Sequence, residues 1–189
     1  MRFDAIVIGG GQAGCEATAR LLDASLKVCL ISAGLTMEDE NTDPWRENRA
    51  MAQRGATVLR GDRAVSAVLE AGKVLSVRTV NLDDEPLEAA LFILATGKYF
   101  SRGLLSDMEH IYEPVFGADV DYIPGRSHWY DQDFSAPQPF LSFGVKTDER
   151  GRVLIGGKSI GNLYATGDIL ARDAAEADWA QIMNDYAGK

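Results

Sequence analysis

Short, uninterrupted apolar runs punctuate the chain and set its architecture. Ala5–Ile8 and Val28–Ile31 are continuous, largely β-branched stretches, and Leu91–Leu94 is a third. Runs of this kind suit strands buried on both faces of a parallel sheet. Between the first two, Ala13 to about Leu22 is small or apolar at helical spacing. The opening therefore predicts strand, helix, strand. Thr42 or Asp43 followed by Pro44 has the form of an N-cap with proline at the first helical position, predicting a helix to about Arg54 that Gly55 closes. Thr57–Leu59, Ala64–Leu69, Val74–Val80 and Leu87–Leu94 then predict strands, with turns at Ala71-Gly72 and around Asn81–Pro86. Polar residues at Ser66, Ser76 and Arg78 give the middle strands the look of a solvated meander. A last helix is expected near Ala174–Tyr186, with Trp179, Ile182, Met183 and Tyr186 on one apolar face.

Glycines sharpen the first unit. Gly9, Gly11 and Gly14 form G-x-G-x-x-G between a strand and a helix, with a second strand after it. In that context the first glycine makes the tight turn, and the second lets backbone N–H groups approach a pyrophosphate. The third lets helix and strand pack closely, and the helix N-terminus faces the phosphates with its partial positive charge. The residue ending the second strand is Ser32, where an Asp or Glu ordinarily holds the ribose hydroxyls; the nearest acids are Glu38, Asp39 and Glu40. Ser32 still offers a hydroxyl for a weaker hydrogen bond.

Ala-Thr-Gly occurs twice, as Ala95-Thr96-Gly97 before Lys98 and as Ala165-Thr166-Gly167 before Asp168. The flanking sequences share nothing further, so convergence on one ligand explains the pair better than duplication. Ligands bind beyond the carboxyl ends of strands in open α/β sheets, and small residues there let a cofactor lie against backbone.

Composition narrows the reading. A length of 189 residues with 46% hydrophobic and 25% charged residues suits one domain over 1–189. No run approaches the roughly 18 apolar residues needed to span a bilayer. A net charge of −9 argues against nucleic acid as main partner, and Arg46, Arg49, Arg54, Arg60 and Arg63 read as a solvated helix face plus loop among acids. Cys15 and Cys29 have neither CxxC spacing nor disulfide density, which points to a cytoplasmic setting. No His, Cys and carboxylate cluster has metal-ligand spacing.

With these residues in place, the fingerprint "GGGQAGCEA", the meander ending in "LATG" and the late "NLYATGD" resemble the FAD-binding domain of two-dinucleotide-binding-domain flavoproteins. The opening and "ATGKYF" resemble the glucose-inhibited division protein A family, which lacks the same ribose acid. "EPVFGADV", "HWYDQDFSAPQPFLSFGVKTDE" and "NLYATGDIL" are closer to the B subunit of anaerobic glycerol-3-phosphate dehydrogenase. The resemblance implies a Rossmann-like three-layer α/β fold, a parallel sheet with an antiparallel β-meander, and bound FAD. It puts Gly9, Gly11, Gln12, Ala13 and Gly14 at the pyrophosphate, Ser32 and Ala33 near the adenosine ribose, and Ala64 at the adenine. Ala95, Thr96 and Gly97 would line the ADP half. Gly167 and Asp168 would serve the ribityl chain, and Ile169 with a following helix would approach the flavin ring.

Both families are longer than this chain, and no second glycine fingerprint lies between the two ATG segments; Gly156-Gly157 and Gly161 have the wrong spacing. The expected electron donor is therefore a small-molecule substrate or an electron-transfer protein, not NAD(P)H, and a homodimer remains open. The leading function is an FAD-dependent oxidoreductase or electron-transfer component. The alternatives are a non-catalytic FAD-binding module, a subunit of a larger dehydrogenase, and a relative of the tRNA-modification flavoprotein. The irregular stretch 98–145, rich in Pro and aromatics, is either a cap or docking segment for the flavin or a loop packing its own aromatics. His128 offers an acid or base, or is a surface histidine. Cys15, near a helix N-terminus, is either an activated thiol or a small packing residue.

Overall fold

The computed structural model describes residues 1–33 and 43–186. The chain opens with β1 (Arg2–Ile8), α1 (Gln12–Asp23) and β2 (Val28–Ser32), followed by α2 (Asp43–Gln53) and β3 (Thr57–Arg60). The meander comprises β4 (Ala64–Glu70), β5 (Lys73–Thr79) and β6 (Leu87–Leu94). Two small ladders follow, β7 (Leu105–Ser106) with β8 (Ile111–Tyr112), and β9 (Val120–Asp121) with β10 (Gly144–Val145). Last come β11 (Arg152–Ile155), β12 (Lys158–Ala165) and α3 (Trp179–Tyr186).

Among the described residues the main sheet runs β11-β12-β6-β1-β2-β3, and β12 through β3 are all parallel. The apolar runs read from the sequence are its centre: Ala5, Ile6, Val7, Cys29, Leu30 and Leu91 to Leu94 are fully buried. One face packs under α1, α2 and α3 through Val7, Leu21, Leu30, Met51, Ile93 and Ile182. The other packs through Ile6, Ile8, Ile31, Phe92 and Leu163 against Val77 of the meander and Trp129 and Phe143 of the irregular stretch. The result is the three-layer α/β arrangement with an antiparallel meander.

β6 is where the meander joins the sheet. Its first half pairs antiparallel with β5 (Val77 opposite Leu87), and its second half pairs parallel with β12 (Leu163 opposite Phe92). The buried amide of Asn162 bridges the split. It accepts from the Val74 N–H at 2.8 Å and donates to the carbonyls of Val74 and Ala90. A side-chain amide here does what a neighbouring strand's peptide would do elsewhere.

Three sequence expectations need correction. Ser76 is buried, because it shares the inward face of β5 with Val74, while Leu75 and Val68 are exposed. No α-helix starts at Asp168: Gly167–Ile169 is a single 3₁₀ turn, and Leu170 is already extended. The final helix starts at Trp179, not Ala174, because the preceding backbone is engaged with the sheet. The Ala177 N–H bonds the Ala165 carbonyl and the Asp178 N–H bonds that of Arg150. The expected cap at Thr42, and the acids Glu38 to Glu40, lie outside the described residues.

Candidate functional site

The carboxyl ends of β1, β2, β6 and β12 open into one cleft of about 1550 Å³. That exceeds the roughly 300–1,000 Å³ of a site for a drug-sized molecule and suits a dinucleotide. Its floor is the β1–α1 turn. Gly11 is the N-cap of α1 in extended conformation (φ −79°), no side chain caps the helix, and no acidic residue occupies its first turn. A Cβ on Gly11 would meet nothing within 4 Å, so that face is open to the cleft. Uncapped N–H groups on a 12-residue helix form a ready anion site. Gly9 holds φ +115°, and a Cβ on it would lie 2.2 Å from the Ala95 carbonyl, so the turn presses on the first ATG segment.

The two ATG segments are adjacent. Ala165 pairs with Leu94, and the Thr166 N–H donates to the Leu94 carbonyl at 3.1 Å. Ala95, Thr96 and Gly97 thus line the cleft beside Gly167 and Asp168. The charges that follow them also meet. Burial pushes the Lys98 pKa down, Asp168 draws it up, and Arg172 lowers it again. Lys98 does not line the cleft; its ammonium donates to the Leu141 carbonyl.

Of the residues the sequence singled out, Gly9, Gly11, Gln12, Ala13, Ser32, Ala33, Ala64, Ala95, Thr96, Gly97, Gly167 and Asp168 line this cleft. Two do not. A Cβ on Gly14 would lie 1.8 Å from the Gly9 carbonyl, so Gly14 is a packing glycine between helix and turn. Ile169 is fully buried in the core beneath the meander. Ser32 is 2% exposed and packs on Gly10, whose absent Cβ would sit 2.1 Å from its Oγ.

Sequence reasoning missed Asp62, Arg63 and Glu176 at the cleft; Phe100 to Gly103, Pro114 and Val115 on its wall belong to the stretch 98–145 expected as a cap or docking segment. Glu176 accepts from the Thr166 hydroxyl and from the Gly167 N–H at 3.1 Å. Nothing in its spacing announces this, since the stretch around it reads as helix. The irregular segment divides: Phe100 to Gly103, Leu105, Pro114 and Val115 line the cleft wall, while Tyr122, Trp129 and Phe143 make edge-to-face contacts in the core beneath the sheet. His128 bonds the Pro124 carbonyl at 3.1 Å and His110 lies 3.5 Å from Asp107; neither lines the cleft. Burial raises the Cys15 thiol to about 11, with Glu47 adding to the rise, which makes Cys15 a packing residue and not an activated thiol.

The residues fit FAD on the structure's own terms. The glycine turn offers backbone to a pyrophosphate. The Thr96 Oγ, buried and without a protein partner, is an unspent hydrogen-bonding group in a residue of the wall. Asp168, exposed at the opposite strand end, is an acceptor for hydroxyls.

The chain is similar to several known proteins. The chain is 43% identical over 129 residues to the B subunit of anaerobic glycerol-3-phosphate dehydrogenase from Pectobacterium carotovorum, covering 66% of this chain and 30% of that protein. The Yersinia enterocolitica counterpart is 41% identical over 118 residues, covering 62% and 28%. The chain thus spans less than a third of the length of these curated relatives. Aquifex aeolicus GidA, a solved structure, superposes on 52% of this chain and 25% of its own, at 17% identity and a TM-score of 0.38. The family model for glucose inhibited division protein A matches residues 4–60. The model described as FAD binding domain matches residues 40–180, most of the chain. The chain belongs to the FAD binding domain family, and FAD is its cofactor.

Proposed function

We propose that residues 1–189 form one FAD-binding unit of an oxidoreductase, passing electrons between FAD and a small-molecule substrate or a protein partner. The observation that carries this is the convergence of the uncapped α1 N-terminus and both ATG turns on one cleft. FAD, when bound, supplies one- or two-electron transfer. The backbone N–H groups at Gly11 to Ala13 bind the pyrophosphate, Ser32 and Ala33 flank the adenosine ribose, and Ala64 offers backbone to the adenine. Ala95, Thr96 and Gly97 close the ADP half. Asp168 accepts a hydrogen bond from a ribityl hydroxyl, and residues 100–103 with Leu105, Pro114 and Val115 form the opposite wall.

A second reading, a subunit contributing its FAD site to a larger dehydrogenase in the cytoplasm, is favoured by the dehydrogenase relatives and their greater length. No helix among the described residues is long and apolar enough to cross a membrane. The test is the purified chain itself. It should be yellow, release FAD and not FMN or NAD on denaturation, and bleach readily with dithionite but slowly with NADH or NADPH. A colourless protein that binds NAD and cannot be reconstituted with FAD overturns the proposal. Rapid, saturable reduction by a nicotinamide nucleotide overturns the assignment of the electron donor.

A further inference from the structure

We propose that Glu176 is a positioning residue for the cofactor: it locks the second Ala-Thr-Gly turn in the shape that presents Asp168 to the cleft, and it acts on the ligand through that turn. The proposal rests on the FAD reading above. Residues 175–178 do not wander between β12 and α3; they are tied across the carboxyl edge of the sheet. The Thr147 hydroxyl donates to the Ala175 carbonyl, the Ala177 N–H to Ala165, and the Asp178 N–H to Arg150. Gly151, at φ +74°, makes room for the crossing, since a Cβ there would lie 2.3 Å from the Glu176 carbonyl. Anchored on both sides, the Glu176 carboxylate reaches back to the turn. One oxygen, Oε1, takes both the Thr166 hydroxyl and the Gly167 N–H.

The turn is held from the other side as well. Gly167 has φ +76°, and a Cβ on it would lie 2.5 Å from the Cβ of Ala13 in the first turn of α1. The 3₁₀ turn carrying Asp168 is therefore gripped between Glu176 and the first turn of α1. A lone 3₁₀ turn has weak hydrogen bonding of its own, so an external clamp decides its shape. The clamp also occupies the Gly167 N–H, which leaves the phosphate-binding N–H groups at the α1 end. Pyrophosphate and ribityl ends of the cleft are kept distinct.

The experiment compares Glu176→Ala, Glu176→Gln, Asp168→Ala and the Glu176→Ala/Asp168→Ala double variant with the parent. FAD and ADP affinities are measured by titration and thermal unfolding is recorded alongside. Glutamine keeps an oxygen that accepts both bonds. The expected result is that Glu176→Ala weakens FAD roughly ten- to a hundredfold, that Glu176→Gln restores it to within a few-fold, and that neither changes ADP affinity. Adding Asp168→Ala to Glu176→Ala should cost far less than it does in the parent, because the two act as one device. Should Glu176→Ala not refold, Thr166→Val removes one of the two bonds alone and is read the same way. Unchanged FAD affinity with a lowered melting temperature would make Glu176 a structural cap and sink the proposal. Full additivity with Asp168→Ala, or an equal loss of ADP binding, would likewise overturn it. A parent that binds ADP but not FAD would instead overturn the cofactor reading beneath it.

Discussion

Gly14 and Gly11 share one motif, yet only one of them faces the ligand. The space a Cβ on Gly14 would take is filled by the Gly9 carbonyl at 1.8 Å, and backbone cannot move aside cheaply. Gly11 has nothing within 4 Å and an ordinary negative φ that any residue adopts. Gly14→Ala should therefore act on stability, by overpacking at about 1–3 kcal/mol or more. Gly11→Ala should fold as well as the parent but weaken FAD, because its methyl group intrudes where the ligand approaches backbone. Melting temperature and FAD titration on both variants check this: equal loss of affinity at equal stability would mean that Gly14 touches the cofactor after all. The spacing G-x-G-x-x-G marks both positions in the sequence. It does not show which is pressed on by the chain and which by a ligand, because that depends on the helix angle. Thr96 was legible for the same reason as Gly97, as part of a small strand end. Glu176 was not, since its role depends on a crossing that Gly151 permits a long way back along the chain.

Elements with a strong apolar signal were legible and those set by pairing were not. β6 runs Leu87–Leu94 as its sequence suggests, since its second half is buried on both faces. Ser76 reads as solvated but is buried on the face of β5 that carries Val74, and the late start of α3 follows from backbone bonds to Ala165 and Arg150 that no local pattern encodes. The turn after β8 is a further case. Glu113, 2% exposed, accepts the N–H groups of Val115 at 2.9 Å, Phe116 at 2.8 Å and Ala118 at 3.4 Å. Burial nevertheless raises its pKa above the ordinary 4.5, against the pull of those donors. A carboxyl whose folded pKa is raised favours the folded state most at low pH. Its contribution is whole below the unfolded pKa, about 4.3, and is lost as pH rises through the folded value. Glu113→Gln abolishes that titration and turns an amide NH₂ toward backbone donors, at a cost of about 1–3 kcal/mol. Urea unfolding from pH 4 to 7 should show the parent's advantage over Glu113→Gln shrinking as pH rises. A constant difference across that range would show that Glu113 does not titrate there.

At the scale of the molecule, the chain just beyond each ATG turn helps fasten residues 139–142 to the sheet, the first through side chains and the second through backbone. The Lys98 ammonium donates to the Leu141 carbonyl and the Tyr99 hydroxyl to that of Phe140. The Arg172 N–H, just beyond the second turn, donates to Ser142. The opposite charges after the two motifs thus serve different ends: Asp168 faces the cleft, while Lys98 points its charge at the irregular segment and feels Asp168 from behind. Lys98→Met removes the donor but keeps most of the apolar stem. It should loosen the segment around Tyr130, Phe134 and Leu141, all exposed and all of the residue types after which chymotrypsin cleaves, while leaving the glycine turn and Asp168 in place. Cleavage there should speed up several-fold, and Lys98→Arg should restore most of the protection because the guanidinium still donates. FAD affinity should fall far less than the roughly ten- to over a hundredfold that loss of a charge-assisted bond at Asp168 would bring. Limited proteolysis followed by mass mapping, with FAD titration on the same samples, decides the matter. An affinity loss for Lys98→Met as large as for Asp168→Ala, with unchanged cleavage, would mean that Lys98 serves the cofactor and that the segment is held by Tyr99 and Arg172 alone.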